Sequence, residues 1–147
     1  MANMATMGPS DILTLEVATP TGLALKTDVS SVRAPSVEGE FGVLPGHLPL
    51  LASLKSGLLS YVADGEEKIV AVGPGFVETE THKVRILTDA FAAPEDIDID
   101  AVKTELVEAD ARLRSFPEEH RGAAFAEVQR DVDWCHARLQ AHALSHC

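Results

Sequence analysis

Two rhythms of apolar and polar residues run along this chain, and one gives way to the other between residues 93 and 98. Before that point the apolar segments are short and alternating. Over 12–19, Leu13, Leu15 and Val17 interleave with Ile12, Thr14, Glu16 and Ala18, the period of a strand with one buried face. Pro20 ends this run and Thr21-Gly22 makes a turn. Further strands are predicted at 29–35, 39–44, 50–54, 57–63, 68–72, 75–80 and 84–88. Asp64-Gly65, between two apolar runs, predicts a hairpin, and Thr81-His82-Lys83 predicts a second. About eight short strands at this spacing argue for a β-sandwich or flattened barrel.

After the change, Gly122 is the only glycine, and apolar residues recur every three or four positions. Ile99, Val102, Leu106, Ala109, Leu113 and Phe116 form one helical stripe, with Asp98 or Asp100 as its N-cap. Phe125, Val128, Val132, Cys135 and Leu139 form another, and Ser115-Phe116-Pro117-Glu118 reads as a capping box opening that second helix. Two striped helices on a short connection predict an antiparallel hairpin. Both stripes are narrow and rich in alanine, so the hairpin buries little and is weakly stable alone; it docks on the sandwich or moves. The division is a lead-in at 1–10, a β domain at 11–93 and a helical hairpin at 94–147. The fold class is mainly β plus α.

Composition narrows the function. With 147 residues, 46% of them hydrophobic and only 5% aromatic, the chain suits one compact domain or a small domain with an appendage, its core built from Val, Leu, Ile and Ala. The formal net charge is -11, spread over both parts: six Lys and Arg against eleven Asp and Glu up to residue 93, and six against twelve beyond it. Neither part is a basic module, which argues against general nucleic-acid binding and against an anionic membrane surface. An acidic chain suits solution, or basic partner surfaces. The two cysteines, Cys135 and Cys147, read as free thiols of a reducing compartment rather than a disulfide framework. No apolar run is long enough to span a bilayer, and MANMATMGPSD lacks the pattern of a secretory signal.

Four constellations invite chemical readings. Glu40 and His47, in EGEFGVLPGHLPLL, are residue types of a general acid–base pair. No nucleophile or orienting group accompanies them, and a glycine- and proline-shaped surface loop is the plainer reading. His142 and His146 share a helix face, with Cys135, His136 and Cys147 nearby, yet the spacing matches no closed zinc pattern. Gly73-Pro74-Gly75 lacks the Lys-Ser/Thr of a phosphate loop and reads as a turn or bulge. Asp96, Asp98 and Asp100 lack the glycine and terminal glutamate of a calcium loop and read as helix-start acids.

Residues 39–51 (GEFGVLPGHLPLL), Leu54-Lys55-Ser56-Gly57, residues 72–78 (VGPGFVE), residues 84–89 (VRILTD) and Asp98-Ile99-Asp100 together carry a resemblance. In these motifs the chain resembles the epsilon subunit of bacterial F-type ATP synthase, whose mitochondrial counterpart is called delta. The match is close over about 11–115; the second helix fits by position and pattern.

The resemblance implies a ten-stranded N-terminal sandwich followed by an antiparallel two-helix hairpin. It implies a non-catalytic rotor subunit, without a cofactor, that couples proton flow to ATP synthesis elsewhere in the complex. The implied partners are the gamma subunit and the c-subunit ring, with alpha and beta subunits when the hairpin extends. The implied place is peripheral, on the cytoplasmic face of a bacterial inner membrane, and the lack of a long presequence favours a bacterium over an organelle. Carried over, Glu40 and His47 are c-ring contact residues.

Some relatives bind ATP through Asp-x-x-Arg-Ala at the start of the first helix. Here the corresponding candidates are Asp100 and Lys103, with Thr104 in place of the alanine. Lysine lacks the planar, bidentate fork of arginine. The resemblance also implies a regulatory role of the hairpin, which in several bacterial relatives extends along gamma and limits ATP hydrolysis. Such inhibitory second helices tend to be basic, whereas residues 117–147 hold Arg121, Arg130 and Arg138 against Glu118, Glu119, Glu127, Asp131 and Asp133. Two other classes stay open at this point: a free-standing nucleotide-binding regulator using Asp100 and Arg112, and a small hydrolase or metalloenzyme around Glu40 and His47.

Overall fold

The computed structural model describes residues 11–117, 119 and 122–145. Ten strands come first: β1 (Leu13–Thr19), β2 (Gly22–Val29), β3 (Ser31–Ser36), β4 (Gly39–Val43), β5 (Leu50–Leu54), β6 (Gly57–Ala63), β7 (Glu66–Val72), β8 (Gly75–Glu80), β9 (Lys83–Thr88) and β10 (Phe91–Ala92). A 3-10 turn at Pro94–Asp96 leads into α1 (Ile99–Arg114) and α2 (Ala123–Ser145).

The strand order is β10-β7-β6-β3-β5-β8-β9-β1-β2, with β4 paired to β3. Among the described residues, β3 and β5 are in register at a single bridge, Ser36–Leu54, flanked by the Val37 N–H to the Ser53 carbonyl at 3.2 Å and the Lys55 N–H to the Pro35 carbonyl at 3.1 Å, and this narrow seam joins the β6–β3 half to the β5–β8 half. Leu13, Leu15, Val17, Val77, Val84 and Ile86 from one half then meet Val32, Leu59, Tyr61, Val70 and Val72 from the other in one buried core. This is the sandwich that alternation predicts. Burying a Val or Leu side chain contributes about 1.5–3 kcal/mol, so aliphatic residues suffice without many aromatics.

The ten strands agree with the number the resemblance implies, and the alternation by itself misses two of them. β2 is an edge strand, mostly exposed, and its polar run Lys26-Thr27-Asp28 hides it; pairing with β1 from Leu13–Val29 to Thr19–Gly22 makes it a strand. β10 is two residues long and exists through its pairing with Val72 and Ala71 of β7. The Asp64-Gly65 hairpin forms as expected, closing Ala63 on Glu66, and the Thr81-His82 turn closes Glu80 on Lys83.

α1 begins at Asp98, whose carboxylate accepts the Ala101 N–H at 3.2 Å. Ser115 does not open α2. Its hydroxyl donates to the Arg112 carbonyl at 2.6 Å and so belongs to the end of α1, while α2 starts at Ala123. Glu118, the acid of the expected capping box, lies outside the described residues.

The hairpin is docked on the sandwich. The stripe predicted for α2 faces α1, with Val132 and Cys135 buried. A second stripe, Trp134, Ala137 and Ala141, faces the outer side of β6 and β7, where it packs on Ala71, Leu58 and Ala92. The small side chains let the helix lie close to the sheet. Among the described residues, no helix is long and apolar enough to cross a membrane.

Candidate docking interface

The loop between β4 and β5 carries the first candidate residue. Pro45 and Pro49 restrict its backbone, and Gly46 takes φ +86°, a conformation that side-chain-bearing residues rarely adopt. The Gly46 N–H donates to the Thr81 carbonyl at 2.7 Å, and the His47 N–H to the Leu44 carbonyl at 3.1 Å. The Leu48 carbonyl accepts from the Thr79 hydroxyl at 3.1 Å and from His47 Nδ1 at 2.7 Å. The loop is therefore fastened to the β8–β9 hairpin on both sides of His47. Its apolar tips remain outside: Leu44 is 63% exposed and Leu48 78%.

Glu40 lies near the start of β4, opposite Pro35 of β3. Its carboxylate is 3.9 Å from Arg33 Nε, and both side chains are more than half exposed. The adjoining β3–β4 turn is braced by Ser36, whose hydroxyl donates to the Gly39 carbonyl at 2.6 Å and accepts the Glu38 N–H at 3.2 Å. Glu40 thus stands in β4 beside the braced turn that precedes the strand, and His47 in the braced loop that follows it. Each has its own partner, and the geometry does not assemble them into an acid–base pair.

Sequence reasoning missed a third feature, on the outer face of β2, β1, β9 and β8. Register places Leu23, Ala18, Leu87 and Phe76 side by side across the four strands. Leu23, Phe76 and Leu87 are about half exposed, so the row is apolar and open to solvent. The next row is ionic: Lys26, Glu16, Arg85 and Glu78 stand in register, followed by exposed Leu51 on β5. Glu16 lies 3.4 Å from Arg85, 3.6 Å from Lys83 and 3.8 Å from Lys26. Partial burial pushes its carboxyl up, but Lys83, Arg85 and Lys26 together outweigh that and hold it below the ordinary carboxylate value. The signal was present in the alternation, since Phe76 and Leu87 are large apolar residues at positions facing away from the core.

The candidate nucleotide residues stand elsewhere. Asp100 lies exposed on the first turn of α1 and Lys103 exposed at the start of the second. Arg112 is 3.4 Å from Asp131 of α2. A cavity of about 680 Å³ between the hairpin and the β1–β2 turn has Asp89, Asp96, Asp98, Glu105 and Arg138 as its charged lining, beside Trp134. Of the residues weighed for zinc, His146 and Cys147 lie outside the described residues. Cys135 is buried between the helices. Burial pushes its thiol up, Glu105 and Asp131 add to that, and Arg138 opposes it, which leaves a poor thiolate.

Fold and surfaces define a class: a ten-stranded β-sandwich with braced, exposed turns, carrying a C-terminal helical hairpin on the back of one sheet. Residues 12–94 match the family described as ATP synthase, Delta/Epsilon chain, beta-sandwich domain. The ATP synthase epsilon chain of Nitratidesulfovibrio vulgaris strain DP4 is 41% identical over 129 residues, covering 88% of this chain and 86% of that protein. The epsilon chain of Anaeromyxobacter dehalogenans strain 2CP-C is 38% identical over 120 residues, covering 80% and 91%. A chain in the solved structure of Euglena gracilis mitochondrial ATP synthase, OSCP/F1/c-ring, shares the fold with TM-score 0.75 at 23% identity, covering 98% of this chain and 88% of that one. The chain belongs to the ATP synthase delta/epsilon family.

Proposed function

We propose that this chain is a non-catalytic subunit of the central stalk of an F-type ATP synthase, transmitting rotation between the c-subunit ring and the gamma subunit. The observation that carries the reading is the loop at 44–49, fastened to Thr79 and Thr81 while Leu44 and Leu48 stay exposed. A joint that transmits torque needs contact groups whose backbone does not yield, and this loop has them. Glu40 and His47 are the proposed contacts to polar loops of the c-ring. The apolar row Leu23, Leu87 and Phe76, bordered by the Glu16 network, suits a large partner surface and is assigned to gamma. Contact with alpha and beta subunits requires the hairpin to leave the sandwich. The subunit works peripherally, on the cytoplasmic face of a bacterial membrane.

A nucleotide-binding regulator is the weaker reading, because among the described residues the cavity beside α1 is lined by four carboxylates and a single guanidinium. The test is reconstitution. Purified chain added to a complex stripped of this subunit is expected to bind gamma and restore proton-driven ATP synthesis, with no ATP turnover of its own. Absence of binding to the matching gamma subunit would overturn the proposal.

A further inference from the structure

Among the described residues, Arg138 of α2 is the most heavily engaged cation of the hairpin. Its side chain is only 14% exposed. Nη1 donates to Glu105 Oε2 of α1 at 3.0 Å, Nε to the Trp134 carbonyl at 3.4 Å, and Nη2 reaches Cys135 Sγ at 3.4 Å. Its guanidinium carbon lies 5.1 Å from the centroid of the Trp134 ring. Trp134 in turn packs on the patch of Ala71, Leu58 and Ala92 that receives the hairpin. One side chain therefore touches α1, α2 and the residue that seats α2 on the sheet. The rest of that seat is Ala137 and Ala141, whose small side chains bury little area.

We propose that Arg138 is an internal latch: by binding Glu105 while stacking on Trp134, it holds the two helices together and seats them on the sandwich without any bound ligand. An exposed Glu–Arg pair alone would contribute little. Here the arginine is mostly covered and also stacks on an aromatic face, which strengthens its hold. The latch also occupies the one guanidinium that the described residues contribute to the lining of the acidic cavity beside α1. Glu105 takes the place an anionic ligand would need.

Trp134 is the only tryptophan, so its emission reports on the seat alone. In the full-length chain, Arg138→Met, which keeps the length of the stem, is expected to red-shift that emission. It should raise the hydrogen-exchange rate of α2 amides about tenfold while β6–β9 amides keep their protection. Glu105→Gln should loosen α2 in the same direction, and the double variant should be no worse than Arg138→Met. Additive effects of the two substitutions, or unchanged α2 exchange in Arg138→Met, would overturn the latch. Millimolar MgATP should leave α2 exchange unchanged in the wild type. Protection gained with MgATP and lost in Arg138→Met would instead make Arg138 a nucleotide ligand and overturn the proposal.

Discussion

Gly75 and Leu87 touch main chain to main chain: a Cβ on Gly75 would collide with the Leu87 carbonyl oxygen and crowd the start of Thr88. Backbone atoms in a paired sheet cannot step aside as a flexible side chain can. Gly75→Ala is therefore expected to destabilise the fold by about 2–4 kcal/mol, as overpacking against fixed atoms does. Urea unfolding of the isolated chain measures it, and an unchanged midpoint would contradict this close approach.

The buried Thr88 hydroxyl holds the same crossing. It lies 2.9 Å from the Gly73 carbonyl, 3.2 Å from that of Pro74 and 3.1 Å from that of Ala90, and it accepts the Ala90 N–H at 3.3 Å. Thr88→Val keeps the shape and removes these bonds. It should cost about 1–3 kcal/mol, since the Gly73 carbonyl and the Ala90 N–H lose their bond to it, while the Pro74 and Ala90 carbonyls still accept from the Asp89 and Gly73 N–H groups. Thermal unfolding of the variant checks this.

Gly73-Pro74-Gly75 was legible as a turn or bulge because nothing after it suits a phosphate. What kept the close approach of Gly75 hidden is that its partner, Leu87, is twelve residues away and comes near only through β8–β9 pairing. The same limit recurs. The alternation of Leu13, Leu15 and Val17 marks a strand by itself, whereas β2 is a strand because β1 is beside it. The α1 stripe was readable residue by residue. The second face of α2 was not, since Trp134, Ala137 and Ala141 recur at helical spacing, but alanine carries a weak apolar signal and the Ala71 patch it meets is far away in sequence. At the candidate interface, Glu40 and His47 stood out by type and context. The row of Leu23, Leu87 and Phe76 needed the register of four strands before it became one surface.

Glu16 gives the fold an acid-sensitive element. Its folded carboxyl titrates below its ordinary value of 4.5, so the charged form is favoured by folding. The stabilisation is present above the unfolded value and is lost as pH falls through the lowered folded value. Glu16→Gln lacks this contribution and leaves Lys26, Lys83 and Arg85 facing one another. The variant should be less stable than wild type at pH 7, and the difference should shrink as pH drops below about 4.5. Denaturation midpoints across that range test it; a constant difference would rule out the carboxylate as its source.

Ala141 is fully buried against the sheet, in the cluster it shares with Ala71 and Ala137. Ala141→Leu adds three carbons to a contact with no space for them, while leucine remains a good helix former. The helix should persist and the seat should fail, at a cost of about 1–3 kcal/mol to docking. Hydrogen exchange is expected to rise in α2 and stay unchanged in β1 and β9. Equal loss of protection in both would mean that hairpin and sandwich unfold as one unit.

The loop at 44–49 separates the role of a contact residue from that of the frame behind it. The Leu48 carbonyl keeps the Thr79 bond when the imidazole is removed, so His47→Ala should change stability by less than about 1 kcal/mol. Glu40→Gln should also cost little, because its pairing with Arg33 is long and exposed. If these side chains meet the c-ring, both variants should still bind gamma, yet the double variant should reduce ATP-driven proton pumping by the reconstituted complex. Thr79→Val acts differently. It releases the Leu48 carbonyl from a nearly buried anchor, so amide exchange at Leu44–Leu48 should quicken even in the isolated chain, and pumping should fall with His47 and Glu40 intact. Full pumping by the His47 and Glu40 double variant would remove both from the interface. Full pumping by Thr79→Val, despite a loosened loop, would show that coupling does not depend on the rigidity of this turn.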